Sequence, residues 1–415
     1  MARANVKVVI DDQSYVIPNT ESGSRVRGGM PTTGGLILAV GFTAERKSGV
    51  MQIESISDWM HRLTAKDPIG GNTHDLLYWD ETFSGFTSNH SSATKGGTGS
   101  RYRLGPTGGW KTEWWAAHNY LQYGGVLIVG GTGSEQHTSD GYSTLKDKSI
   151  PLDLVFAATG DSSGAIQASV GTIASFRGDC VSVLPDRGNG EEAIIATQSN
   201  EGTADEFNVT VFGSKRHLDI VRGTSNDFIV TSCAADVAGC IARTDRDLDP
   251  WWSPAGFRRG QILDVVSLIH SPTDAQQDTL YDAKVNPVVT FPGEGTVLFG
   301  DKTGKDSSST LSRINVSRLF IHLKKTIGAA ARSKLFEMND AETRASFVNA
   351  VTPFLRNIQA GRGIYDFRVV CDESNNPGAL VDANQFNADI FIKPTKSINF
   401  IRITFTNKNT DDDLG

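Results

Sequence analysis

At 415 residues the chain exceeds one ordinary domain, so two or more compact units are expected, with ample apolar content for a core. A formal net charge of −7 and a pI near 5.7 argue against a general nucleic-acid binder, which carries a basic excess or patch. The widely spread cysteines, Cys180, Cys233, Cys240 and Cys371, form no CxxC pair and indicate neither a disulfide scaffold nor a zinc ribbon.

The opening MARANVKVVIDD lacks the apolar core of a signal peptide, and the longest apolar runs, such as Leu36 to Val40, are too short to cross a bilayer. A soluble protein made in a cytosol is the expectation. Its 43 glycines, often clustered with Ser, Thr and Asn, predict many turns and long surface loops.

Val6, Val8 and Ile10 alternate with Lys7 and Val9, and a short run at Tyr15 to Ile17 follows, which is strand patterning. Pro18 to Gly35 is a breaker-rich linker. A terminal strand on such a tether can pair with its own domain or with the sheet edge of another molecule. Within Gly34 to Leu63, Ser57 is a candidate N-cap of a helix with Met60 and Leu63 on one face. Asp80 to Gly109 turns to Ser, Thr and Gly and predicts an exposed loop.

Thr112 to Gln122 predicts a helix carrying Trp114, His118 and Leu121, followed by the strand Val126 to Val129. A strand at Leu152 to Ala157, a helix bearing Ile166, Val170, Ile173 and Ala174, and a strand at Cys180 to Leu184 form a crossover that favours a parallel sheet. With a further strand at Phe228 to Thr231, residues 34–235 read as an α/β region.

Enzyme-like motifs in this region have plainer explanations. VLIVGGTGSE places glycines at Gly130, Gly131 and Gly133, with Tyr142 and Lys146 beyond them, and suggests a nucleotide-dependent oxidoreductase as the alternative function. The third glycine of a phosphate-binding turn is replaced by Gln136, and Tyr142 is too close in sequence to come from a separate element, so an ordinary turn is favoured. Gly160-Asp161-Ser162-Ser163-Gly164 resembles a protease serine motif, but it stands at a helix entry, where Asp161 or Ser162 serves as N-cap. The scattered histidines give no metal-binding spacing, and neither a metal nor a cofactor is assigned.

Asp236 to Gly260 and Val285 to Thr303 are Gly/Pro-punctuated segments among short apolar runs. Pro250 and Pro254 fix φ, and Gly256 and Gly260 supply conformations other residues resist, so Trp251 and Trp252 sit in a rigid, non-helical connection. Their indoles bury large area and their N–H groups need partners, which suits a corner or a domain contact. Asn315 can cap a helix carrying Val316, Leu319, Phe320, Leu323 and Ile327, with Arg318, Lys324 and Lys325 on other faces. A second helix from Asn339, with Glu342 three residues on, runs through Phe347, Val351, Phe354, Leu355 and Ile358 to Gly361, and Pro353 should bend it. Tyr365, Phe367 and Val369 alternate, as do Phe386, Ala388, Ile390 and Ile392, and a last strand carries Ile401, Ile403 and Phe405. The polar, acidic tail NKNTDDDLG should fray.

The two punctuated segments, the paired helices, and CDESNNPGALVDANQFNADIFIKP (Cys371 to Pro394) together resemble contractile phage tail sheath proteins, with Gly34 to Leu63 similar to the family's N-proximal pattern. The resemblance implies an α/β organisation, with an α+β core domain that exchanges N- and C-terminal strand arms and an outward α/β domain. An N-terminal arm and linker occupy 1–33, an outer region 34–235, the sheath core domain 236–396, and a C-terminal arm and tail 397–415. It implies that Trp251, Trp252, Pro254, Gly256, Pro292 and Gly295 form a core-packing signature. Val6, Val8, Ile10, Ile401, Ile403 and Phe405 would lie on strands exchanged between subunits, and basic side chains such as Lys324 and Lys325 could face an inner tube. The implied function is a non-enzymatic protomer of a helical assembly, in rings that are commonly six-fold, which contracts to drive a tube through a host envelope. Its partners would be other copies, tail tube, baseplate and terminator proteins, with neither nucleic acid nor membrane insertion, in a virion tail assembled in the host cytoplasm. A non-contractile surface or capsid protein is the third reading.

Overall fold

The computed structural model describes residues 32–37, 50–57, 59, 76–80, 85–87, 102–106, 111–130, 145–160, 164–188, 205–218, 228–306 and 308–397. The expected arm residues Val6, Val8, Ile10, Ile401, Ile403 and Phe405 lie outside these, as do Tyr142 and Gly131 to Gly133.

Short Val-, Leu- and Ile-rich runs suit strands covered on both faces. β1 (Thr33–Ile37), β6 (Val126–Gly130), β7 (Leu154–Phe156), β8 (Val181–Pro185), β9 (Asn208–Phe212) and β13 (Val285–Phe291) run parallel in one mixed sheet. Its order is β14-β13-β9-β8-β7-β1-β6-β2, with β2 (Val50–Ile53) and β14 (Gly295–Leu298) antiparallel at the edges. Both β8 and β9 are buried along their whole length. The predicted crossover is present: helix α2 (Ala165–Arg177) links the parallel neighbours β7 and β8. Helix α1 (Lys111–Leu121) matches its expected position within a residue and packs on helix α3 (Ala234–Asp247).

Helix α3 was not expected from its sequence. Its residues AADVAGCIARTDRD are mostly small, and their value lies in close approach: a Cβ on Gly239 would stand 2.2 Å from Cδ2 of Tyr123. Tyr123, Asp236 and Lys215 form a buried polar cluster. The Lys215 Nζ lies 2.8 Å from Asp236 Oδ1 and donates to Leu263 O at 2.8 Å, and the Tyr123 hydroxyl donates to the same carboxylate at 3.0 Å. Burial pushes the Asp236 carboxyl up, against the pull of Lys215 and Tyr123. The cluster ties α3 to β10 (Ser214–Leu218), which pairs with β11 (Phe228–Ser232) and β12 (Ser267–Leu268) in a small antiparallel sheet.

The expected boundary at 235/236 is corrected by this arrangement. Strand β13 returns to pair with β9, and Val288, Leu298 and α3 share one core with Leu36, Val129 and Phe156, so the boundary would cut a single sheet. The expected loop at 80–109 also holds regular structure: β4 (Gly85–Thr87) and β5 (Tyr102–Pro106) flank β3 (Leu76–Asp80) in a three-stranded sheet.

A second core lies in the C-terminal part. Helix α5 (Ile314–Arg332) and helix α6 (Ala341–Ala360) form a hairpin packed beneath β15 (Ile364–Val370) and β16 (Asp389–Pro394) through Leu319, Leu323, Phe347, Leu355 and Ile358. The short helix α4 (Asp274–Asp282), which opens with a Thr273/Gln276 capping box, precedes β13, and the short helix α7 (Gly378–Asp382) connects β15 to β16. Several expected caps move. Arg313 rather than Asn315 precedes α5, and Asp340 rather than Asn339 caps α6, its side chain accepting from the Thr343 N–H. Gly164, with φ of 76°, precedes α2 in place of Asp161 or Ser162, and Ser57 stands inside its helical turn. Helix α6 continues through Pro353, which faces solvent, where water can satisfy the carbonyl left without a partner.

Helix α5 is fastened to the sheet module by charge. Arg318 makes a bidentate, buried pair with Asp245, which also accepts from the Thr32 hydroxyl at 2.5 Å. Lys325 Nζ lies 2.7 Å from Asp153 Oδ1 and 2.9 Å from Leu152 O, and Lys324 Nζ donates to Gly178 O at 2.8 Å. Lys324 and Lys325 are therefore not tube-facing charges: both ammonium groups are spent inside the chain. Burial lowers the Lys324 amine to about 8. Burial also opposes the charge on Lys325, but Asp153 and Asp179 outweigh it and hold that ammonium above its ordinary range.

Removing Arg318 strands the buried Asp245 carboxylate, so Arg318→Ala should cost about 3–5 kcal/mol in urea unfolding. For Lys324, the folded amine near 8 lies below its ordinary 10.5, so the unfolded chain binds more protons between those values and stability rises with pH across that window. Relative to Lys324→Met, the wild-type chain should therefore gain up to about 3 kcal/mol between pH 8 and 10.5, read from paired unfolding curves. A constant difference would show that the amine is not buried in its charged form.

Candidate functional site

No catalytic constellation assembles among the described residues. No group of three or more His, Cys, Asp or Glu side chains could hold a metal among them, and no described helix is long and apolar enough to cross a membrane. A surface groove of about 410 Å³ is lined by Ala341, Arg344, Ala345, Cys371, Asp372, Glu373 and Ser374. Its thiol, Cys371, is pushed up to about 11 by burial and directed at Asn387 O, 3.4 Å away, which makes it a poor nucleophile. Two features of the C-terminal half are instead built for contact.

The first is a tryptophan corner. After α3, the Pro250 turn presents Trp251 to the open end of the α5–α6 hairpin, where its indole Nε1 donates to Gly361 O at 2.8 Å. The ring lies in a slot that only glycine can make: a Cβ on Gly361 or Gly363 would stand 2.8 Å from the indole. Asn315 Nδ2 reaches both Trp251 O at 3.3 Å and Thr395 O at 3.2 Å, joining the corner to the chain beyond β16. Trp252 lies between the guanidinium groups of Arg259 and Arg362, at 5.4 and 5.5 Å from its ring centroid.

The proposed packing signature divides at this point. Trp251 and Trp252 are half-buried and Pro254 is buried in the corner, and Gly256, at φ of 88°, lets its N–H reach Leu298 O while its own carbonyl accepts from Gly260. Pro292 and Gly295 are exposed residues of the β13–β14 turn and take no part in core packing. Gly361, Gly363 and Asn315 belong to the corner and were missed. The Gly-Arg-Gly that follows α6 was the available signal.

The second feature is the β15–β16 pair, which is a complete sheet among the described residues. Phe367, Val369, Ile390 and Ile392 turn inward onto α5 and α6. The expected alternation fails at Tyr365, because a bulge between Ile364 and Asp366 shifts the register and leaves Tyr365 69% exposed. On the same outer surface Phe391 is 60% exposed, opposite Arg368. Neither outer edge pairs with another described strand, although side chains already meet some of the β15 backbone groups: Gln359 donates to Tyr365 O and Asn375 to Val370 O, both at 2.9 Å.

Comparison with known proteins bears on both features. The family described as phage tail sheath protein central domain matches residues 151–304, and that described as phage tail sheath C-terminal domain matches residues 306–408, together more than half of the chain. The chain is 52% identical over 181 residues to the tail sheath protein of Vibrio phage KVP40 and 46% identical over 181 residues to that of Enterobacteria phage T4. Each match covers 44% of this chain but only 27% and 28% of those proteins, so the chain aligns with little more than a quarter of either relative. Among solved structures, the helical sheath of the anti-feeding prophage in its contracted state superposes with a TM-score of 0.67 at 14% identity, covering 97% of this chain and 100% of that one. The sheath complex of an extracellular contractile injection system, also contracted, gives 0.66 at 16% identity over 97% and 99%. At these identities the likeness is one of fold. With the family matches on both sides of residue 305 and the sheath architecture throughout, the chain belongs to the contractile phage tail sheath family.

Proposed function

We propose that the chain is a structural protomer of a contractile tail sheath, polymerising helically around an inner tube and contracting to drive that tube through a host cell envelope. The observation that carries this reading is the open β15–β16 pair. Its outer edges are unpaired among the described residues, and added strands would extend its backbone pairing beside the exposed Tyr365 and Phe391. The strand-patterned segments around Val6, Val8, Ile10 and around Ile401, Ile403, Phe405 are the proposed donors, passed to neighbouring copies. Contacts of this kind are heterologous and need not close, so they build helical arrays, here proposed as stacked six-fold rings.

The chemistry of the site supports mechanical work rather than turnover. The two cores are joined by the buried Arg318–Asp245 pair and the half-buried Lys325–Asp153 pair, an arrangement suited to moving together while contacts between copies repack. Exchanged strands would keep neighbours tethered during that repacking. Energy held in a kinetically trapped extended lattice is released as the lattice contracts, with no cofactor and no catalytic step in the proposal. Tail tube, baseplate and terminator proteins are the proposed partners, and a virion tail assembled in the host cytoplasm is the proposed location.

Electron microscopy of the purified chain, alone and co-expressed with a tube protein, should show hollow ringed tubes. A monomer that persists under both conditions would overturn the sheath reading. Deleting residues 1–18, or combining Ile401→Asp with Ile403→Asp, should leave a folded monomer with an unchanged unfolding midpoint that forms no tubes. Normal tubes from either variant would remove the arm assignment.

A further inference from the structure

We propose that the tip of the α5–α6 hairpin docks onto a phenylalanine patch beside the foot of that hairpin on a second copy of the chain; this rests on the self-assembly proposed above and names a contact that strand exchange does not supply. At the tip, Phe336 is 92% exposed and Met338 78% exposed. Phe336 holds a left-handed φ of 69°, a strained conformation for an aromatic residue and one that glycine adopts freely. A turn shaped only for folding would carry glycine there and a polar residue at 338. The tip is nonetheless fixed in place, because Asn339 donates to Gln385 O at 2.8 Å and accepts from Arg344 at 3.3 Å. It is a firm apolar projection.

The receiving surface stands at the other end. Phe257, Phe291 and Phe299 form one aromatic group with centroids 5.0 to 6.2 Å apart, in which Phe257 and Phe299 are exposed. Arg258, exposed, and Arg259 adjoin Phe257, and Arg259 and Arg362 flank Trp252 on the same loop. Glu294, in the nearby turn, is an opposing acid. The exposed charges of the tip are acidic, Glu337, Asp340 and Glu342, whereas its basic side chains are held back: Lys334 is turned to Ser346 at 2.9 Å, Arg344 is buried against Asn339 and Arg332 is half-buried. Oppositely charged rims around two apolar centres favour one pairing and one orientation.

Geometry forbids the contact within one chain. Asn315 and Gly361 fix the foot of the hairpin at Trp251, and the helical rise from Asn315 to Arg332 puts the tip about 26 Å away. Tip and patch lie at opposite ends of the hairpin, so joining them links copies head to tail, and such a series runs on as a filament wherever the rotation between copies does not close a ring.

The test uses the full chain carrying Phe336→Gly with Met338→Ser. The unfolding midpoint should stay level or rise, because the strained residue is relieved. The protein concentration needed for tubes, read by sedimentation and microscopy, should rise at least about tenfold. Glu337→Arg and Arg258→Glu should each weaken assembly, and the pair together should restore it. Assembly of the tip variant at the wild-type concentration would overturn this contact while leaving the sheath reading intact. So would wild-type tubes from the variant that have lost only their grip on an inner tube, since the tip would then serve the tube. Failure of the wild-type chain to assemble with or without tube protein would sink the sheath reading and this contact with it.

Discussion

Helix α5 is the constraint on which the rest depends, because two hydrophobic cores claim its opposite faces. Ile314 and Ile321, two turns apart, belong to the core of the large sheet, whereas Leu319, Leu323 and Ile327 belong to the core beneath β15 and β16. A helix so enclosed is normally apolar all round. This one carries Arg318 and Lys325 along the line of Ile314 and Ile321, and each is answered by a carboxylate of the sheet module, Asp245 and Asp153. Apolar burial alone would tolerate sliding or rotation of the helix, but the buried Arg318–Asp245 pair permits one register, since any other leaves a buried ion without a partner, and the half-buried Lys325–Asp153 pair reinforces it.

That rigidity gives meaning to the tryptophan corner. Trp251 closes the hairpin's open end through one hydrogen bond to Gly361 and a ring packed against two glycines, so the geometry set at the start of α5 is transmitted to the strand that follows α6. Asn315 extends the linkage to Thr395, at the exit of β16. The open β15–β16 edges are thus referenced to the large sheet through bonded contacts rather than through a flexible tether. In the proposed assembly, a strand pulled at those edges would move the whole protomer.

The sequence revealed what local periodicity encodes. The β7–α2–β8 crossover, α1, α5 and α6 were readable because their apolar spacing matches a regular element, and the family resemblance was readable from ordered segments rather than one motif. Helix α3 was hidden because it lies inside a segment read as a Gly/Pro-punctuated connection, and the close contact of Gly239 with Tyr123 depends on a residue more than a hundred positions away. The domain boundary failed for a similar reason: only the pairing of β13 with β9 shows that residues beyond 236 complete the first sheet. Lys324 and Lys325 looked like surface charge because a sequence states a side chain's chemistry and not its partner. Tyr365 was placed on the wrong face by a bulge, a single extra residue that breaks a period of two. In the corner, the tryptophans were visible and the glycines that admit them were not.

The two kinds of exposed feature have different physical origins, and this separates their roles. An open strand edge is a general receptor: any extended segment can satisfy its backbone groups, and the side chains select among candidates. A fixed apolar tip with a charged rim offers few backbone groups and depends on shape and sign, so it discriminates strongly and is lost when the relative orientation of two copies changes. In the proposed lattice, where protomers rotate without separating, the edge contact is suited to persist and the tip contact to distinguish one packing from another. Because tip and open edges belong to the same rigid hairpin unit, a rotation that breaks the first need not strain the second. In the proposed assembly, tethering and state selection thus fall to different surfaces of one chain.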